Sequence, residues 1–153
     1  MALTQVQQLA IVYSIIEREG GLVDHPDDPG GLTKYGISQR TYPDLNIREL
    51  TKADAVTIYL RDYLRRYQLH QLQSAQNAEI VCDWLVNSGP GAIKALQRTL
   101  RVTVDGQMGP ETLTAIDGAN ARALLRARLD YYTGLVTHPF LKGWVHRLYQ
   151  LGL

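Results

Sequence analysis

Cysteine is nearly missing from this chain of 153 residues: Cys82 stands alone. An internal disulfide is therefore excluded. The four histidines are scattered, so no zinc-ligand spacing arises, and neither a metal nor a cofactor is expected. G-x-S-x-G and H-E-x-x-H do not occur, which removes the signatures of serine and zinc hydrolases. No histidine lies close enough in sequence to Cys82 to suggest a cysteine peptidase. Long apolar runs are missing as well. The longest, around Leu9 to Ile16, is far too short to span a bilayer, so no stable membrane insertion is expected. The N-terminal residues lack the basic opening of a signal peptide, and Gln5, Gln7 and Gln8 interrupt any apolar core region. Synthesis in the cytoplasm without a cleavable export signal is the expectation. Nothing is low-complexity or linker-like, and the length suits one compact domain or a lobe with a small appendage.

Charge is present but unevenly placed. Residues 1–50 carry a net −3, residues 51–119 balance, and residues 120–153 carry +4. The arginines of the basic tail recur at helical spacing opposite an apolar stripe, which reads as a solvated helix face. No basic-aromatic pattern argues for nucleic acid.

Helical periodicity dominates. Val6, Leu9, Tyr13 and Ile16 mark one face of a first helix that stops at Gly20-Gly21. Thr51 and Asp54 form a capping box that opens a helix through about Tyr67. A third helix carries Ile80, Val81, Trp84 and Leu85 and ends at Gly89-Pro90. A fourth carries Ile93, Leu96 and Leu100. Pro110 suits the first turn of a fifth. Asn120 caps a sixth, with Leu124, Ala127, Tyr131 and Leu135 facing inward, and a last helix starts near Gly143. Strand signals are confined to a short β-ribbon over Leu32 to Ile37 and a brief extended piece at Val102 to Gly106. The expected class is mainly α.

The densest chemistry lies in "EREGGLVDHPDDPGGLTKYGIS", Glu17 to Ser38. It follows sixteen residues without a charge and crowds five acids around two glycine pairs. Glu19 closes the first helix, where the negative end of the helix dipole disfavours an ionised carboxylate. Partial burial acts the same way. An acid that keeps its proton near neutral pH is what glycosidic cleavage needs as its general acid. Asp24, Asp27 and Asp28 sit in a turn-rich stretch, where aspartate often serves only the turn. Their spacing does not fit a calcium loop, and no bidentate glutamate follows at the twelfth position. Asp28, nine residues after Glu19, and Thr33, five further on, fit a base and a water-holding hydroxyl; adjacent Asp27 is the alternative base. Tyr35 is the candidate sugar-stacking ring. Asn87 is a candidate contact for an N-acetyl group. Asp83 is either a supporting carboxylate near the substrate or the wet side of its helix. Tyr59, Tyr63, Tyr67, Tyr131 and Tyr132 read as core.

The pattern E-G-G-x-x-x-x-P-x-D-P-G-G-x-T-x-x-G-I, spelled by Glu19 to Ile37, resembles the signature of the glycoside hydrolase family 108 N-acetylmuramidases. The Glu19, Asp28 and Thr33 spacing is also similar to the Glu-Asp-Thr triad of phage-type lysozymes. Leu22 stands where the family usually has an aromatic, and Asp24 where it often has asparagine. Downstream, "LTKADAVTIYLRDYL" and "VCDWLVNSGPGAIKALQRTL" resemble family helices, "GWVHRL" fits the closing helix, and "VDGQMGPETLTAI" looks like a short peptidoglycan-binding repeat. The resemblance implies a lysozyme-like helical fold with a short β-ribbon after the first helix. It implies a catalytic lobe over 1–88 and a peptidoglycan-binding-like lobe over 89–153, packed as one unit. It also implies hydrolysis of the β-1,4 bond between N-acetylmuramic acid and N-acetylglucosamine, with Glu19 as acid, Asp28 as base through a water, and Thr33 holding that water. A lytic transglycosylase needs no water-activating partner, and a non-catalytic wall-binding protein needs no Glu19; both are alternatives. The expected partner is the peptidoglycan glycan strand, met by a monomer in the periplasm or cell wall after passage through a holin-type pore or an export system.

Overall fold

A computed structural model describes residues 1–24, 31–134 and 141–152, without the side chains of Leu141 and Lys142. Asp27, Asp28 and Leu135 lie outside the described residues.

The first helix, α1 (Gln5–Glu19), starts at a reciprocal capping box between Thr4 and Gln7. Its buried face is Ile11, Val12, Ile15 and Ile16. That differs from the expected stripe, because Val6 and Tyr13 are exposed. Apolar residues occupy more than one face of this segment, so periodicity alone could not choose between them. The choice matters for Glu19: it follows Ile15 by one helical turn and so lies over the buried face. Gly20 ends the helix at φ 78° and ψ −167°, a positive-φ extended geometry rather than the left-handed cap.

Three two-residue strands follow as an antiparallel sheet in the order β1 (Leu22–Val23), β2 (Thr33–Lys34), β3 (Ile37–Ser38). Val23 pairs with Thr33, and Thr33 with Ser38. The β2–β3 hairpin turns on Tyr35 (φ 54°) and Gly36 (φ 78°), the positive-φ pair of a tight two-residue turn.

α2 (Lys52–Tyr59) opens at the expected Thr51–Asp54 capping box. It does not run on regularly to Tyr67: Leu60–Arg65 winds as a π-helical turn. Rings of Tyr59, Tyr63 and Tyr67 still follow one another in tilted contact, with centroids 5.3 and 6.5 Å apart. α3 (Ala75–Ser88) is almost wholly buried along Asn77 to Leu85 and ends at Gly89. α4 (Ala92–Leu100), α5 (Pro110–Gly118), α6 (Ala121–Thr133) and α7 (Leu141–Gln150) complete the chain. Asn120 caps α6 as expected. Inward positions of α6 are Leu124, Leu125, Ala127, Arg128 and Tyr132. Val102 to Gly106 forms no strand. Its loop is shaped instead by fully buried Gln97, whose amide donates to Asp105 and to the Gln107 carbonyl and accepts from the Gly106 N–H. A polar side chain buried this deeply survives because its groups are bonded.

One cluster of buried side chains runs from Leu3 to Leu148. Trp84 of α3 is at its centre and meets Tyr131 edge-on, while Tyr132 stacks on Trp144 at 4.9 Å and ties α6 to α7. The basic tail is not uniformly a solvated face. Arg122 and Arg126 are exposed, but Arg128 is fully buried and Arg147 nearly so. Burying them is possible because acidic partners wait inside.

Candidate active site

Glu19 is the last residue of α1, and three other elements close on it. From α7, Arg147 donates to Glu19 Oε1 through Nη1. From α3, Asn87 Nδ2 points to the same oxygen at 3.5 Å. Asn87 Oδ1 in turn accepts from Arg147 at 2.6 Å. From the ribbon, Gly36 presses on the Glu19 stem. A methyl on Gly36 would lie 2.7 Å from Glu19 Cγ and 2.5 Å from the Tyr59 hydroxyl. The Tyr59 hydroxyl donates to the Tyr35 carbonyl at 2.9 Å and so pins the hairpin turn above the acid. Burial pushes the Tyr59 hydroxyl's pKa well up, and the Glu19 charge adds to the effect, so Tyr59 stays a neutral donor.

Glu19 keeps 16 % of its side chain exposed. Asn87 and Arg147 line an open groove of about 440 Å³ with Arg18, Gly143, Trp144, His146 and Gln150. The arrangement is a largely buried acid, held by a guanidinium and an amide that both line the groove. A chain laid along that groove would lie against Asn87 and Arg147, the two groups that hold the acid.

A second carboxylate organises the cations. Asp83 is fully buried; Arg128 Nη1 lies 2.7 Å from its Oδ2, and Arg18 Nε lies 3.3 Å and Arg147 Nη1 4.0 Å from its Oδ1. Burial works against the Arg147 charge, but Asp83 and Glu19 outweigh it and raise its pKa. Arg18 also bridges to Glu79 at 2.8 Å.

Of the residues expected from sequence, Glu19 and Asn87 meet directly. Asn87 spends its amide on Glu19, Arg147 and the Asp83 carbonyl. Tyr35 is half-buried on the turn, touches the site through its backbone carbonyl, and has the Lys34 ammonium 5.6 Å from its ring centroid. Thr33 is in the ribbon, two residues before the turn, with its hydroxyl donating to the Gly31 carbonyl at 3.1 Å. Asp83 is corrected as a substrate contact and as the wet side of its helix, since it has no exposed surface; of the two sequence readings only the supporting carboxylate fits, through its pairs with Arg18, Arg128 and Arg147. Asp28 lies outside the described residues. Cys82 is buried, and its thiol is pushed up by that burial, which leaves it inert. No cluster of metal-ligating side chains occurs among the described residues.

Sequence reasoning missed Arg147, Arg128, Gly36 and Tyr59. The one signal for the arginines was the complementary charge of the chain's two ends.

Gly36→Ala tests how tightly the turn holds the acid. It should lower stability by about 1–3 kcal/mol, since the methyl meets both Tyr59 and Glu19 in a positive-φ backbone. A thermal scan should show the midpoint falling by roughly 3–10 °C. A midpoint unchanged from wild type would mean that the turn does not abut the acid.

Comparison with known proteins adds three findings. A family model described as glycosyl hydrolase 108 matches residues 12–89. A second, described as a predicted peptidoglycan domain, matches residues 91–149. The solved structure of SagA from Brucella abortus is 32 % identical, with a TM-score of 0.82, over 97 % of this chain and 92 % of that one. No curated protein matches the chain.

Proposed function

The chain belongs to the glycosyl hydrolase 108 family, and from that premise we propose that it is an N-acetylmuramidase acting by inversion. The coarser statement, a glycoside hydrolase that degrades peptidoglycan, rests on the two matched segments together. The finer reading is supported by one observation: Glu19 is held at a helix C-terminus by Asn87 and Arg147, two residues that line an open groove.

In this reading Glu19 gives its proton to the glycosidic oxygen between N-acetylmuramic acid and N-acetylglucosamine. The C1–O bond breaks, and the leaving sugar departs as an alcohol. A water attacks C1 from the opposite face while Asp28 takes its proton, and Thr33 holds that water. Adjacent Asp27 is the other carboxylate for the base role. Tyr35, at the turn over Glu19, is the sugar-stacking ring. We place the enzyme's work in the periplasm or cell wall, as a monomer reached through a holin-type pore or an export system, the setting of a phage endolysin. Intact Asp28 and Thr33 favour hydrolysis over a lytic transglycosylase.

Three experiments test this. Purified protein should clear a cell-wall suspension and release reducing ends from purified peptidoglycan; no clearing would return the chain to a wall-binding role. Asp28→Asn should keep the acid but fail to activate water, lowering turnover about 100-fold or more. The first anomer released by the wild type should be α, as an acid and base about 6.5–9.5 Å apart would give. A β first product would end the inverting assignment.

A further inference from the structure

The groups that hold Glu19 come from both matched segments. Asn87 belongs to the first, whereas Arg147 lies near the end of the second. Arg147 is itself held. Asp83 stands 4.0 Å from it and also faces Arg128 and Arg18, so one buried carboxylate gathers guanidiniums from α1, α6 and α7. The stacked Tyr132–Trp144 pair sets α7 against α6. Stability alone does not account for such a cluster. Buried ion pairs seldom repay their desolvation, and Arg128 Nη2 has no hydrogen-bond partner among the described residues.

What the cluster does fix is one oxygen. Among the described residues, both hydrogen bonds to the Glu19 carboxyl fall on Oε1. An oxygen accepting from a guanidinium is poorly placed to carry a proton of its own. The proton of the neutral acid is thereby directed to Oε2.

We propose that Arg147, anchored by Asp83, is a positioning residue that selects Oε2 of Glu19 as the proton-bearing oxygen. The peptidoglycan-binding segment thus completes the catalytic site as well as contributing to it a wall of the groove. This rests on the reading of Glu19 as the general acid.

The test uses the full chain. Arg147→Met removes the donor at a side chain only 11 % exposed but already at the groove's edge; Arg147→Lys restores a donor. On peptidoglycan, Arg147→Met should lower kcat about 10- to 100-fold with KM within about twofold. Arg147→Lys should recover at least about fivefold of that loss. Independently of activity, the Glu19 carboxyl carbon resonance, identified by its loss in Glu19→Gln, should move in Arg147→Met. It should move in Asp83→Asn too, although Asp83 does not touch Glu19. A wild-type kcat in Arg147→Met would overturn the proposal, as would a loss confined to KM, or an unmoved Glu19 resonance. Should Asp83→Asn fail to fold, Arg147→Met decides alone. A wild type without activity would defeat the muramidase reading, whereas the resonance would still judge whether Arg147 and Asp83 hold the carboxyl.

Discussion

Glu19→Gln should give a folded protein whose release of reducing ends from peptidoglycan is slower by roughly 100-fold or more. Glutamine keeps the volume, and its Oε1 can still accept from Arg147 and Asn87, so the packing under Gly36 survives. What disappears is the transferable proton. Stability should change little, because the side chain keeps some solvent contact and its neighbours keep a partner. A thermal midpoint near wild type combined with lost turnover separates this outcome from simple unfolding. Turnover near wild type would remove Glu19 from the acid role.

The largest effect on stability should come from Asp83→Ala. Arg128 has no exposed side-chain surface, and Asp83 is its ion-pair partner. Removing the carboxylate strands a buried charge, which costs about 3–5 kcal/mol. For a chain of this length that corresponds to a midpoint lower by roughly 6–20 °C. Glu79→Ala is the matched control. Its carboxylate pairs with Arg18 but is 28 % exposed, so its loss should cost at most about 1 kcal/mol. Denaturant unfolding of both variants gives the two numbers. An Asp83→Ala protein within about 1 kcal/mol of wild type would show that water reaches Arg128 and that the cluster is not sealed.

These two residues also mark how far sequence alone reaches. The place of Glu19 at the end of α1 was legible because its cues are local: an apolar helix before it, a glycine pair after it, and a long specific pattern around it. The helical class, the ribbon after α1 and the caps at Thr51 and Asn120 were legible for the same reason. Asp83 was not. Its neighbours in sequence place it on a helix, but its meaning comes from Arg18, Arg128 and Arg147, 65, 45 and 64 residues away. Arg122, Arg126 and Arg128 share one helix, and only the last turns inward. No periodicity argument distinguishes a guanidinium that snorkels to water from one that finds a buried acid. The true face of α1 was hidden likewise, since Val6 and Tyr13 continue the apolar pattern yet are exposed. The π-helical turn at Leu60–Arg65 has no cue in composition.

The central claim is that this chain cuts peptidoglycan by hydrolysis, with Glu19 supplying the proton. Mass spectrometry of a borohydride-reduced digest measures that most directly, because it identifies the sugar at each new chain end. N-acetylmuramitol ends, present with the wild type and absent with Glu19→Gln, are the predicted result. Ends in 1,6-anhydro form, N-acetylglucosaminitol ends, or the same muramitol ends from Glu19→Gln would contradict it.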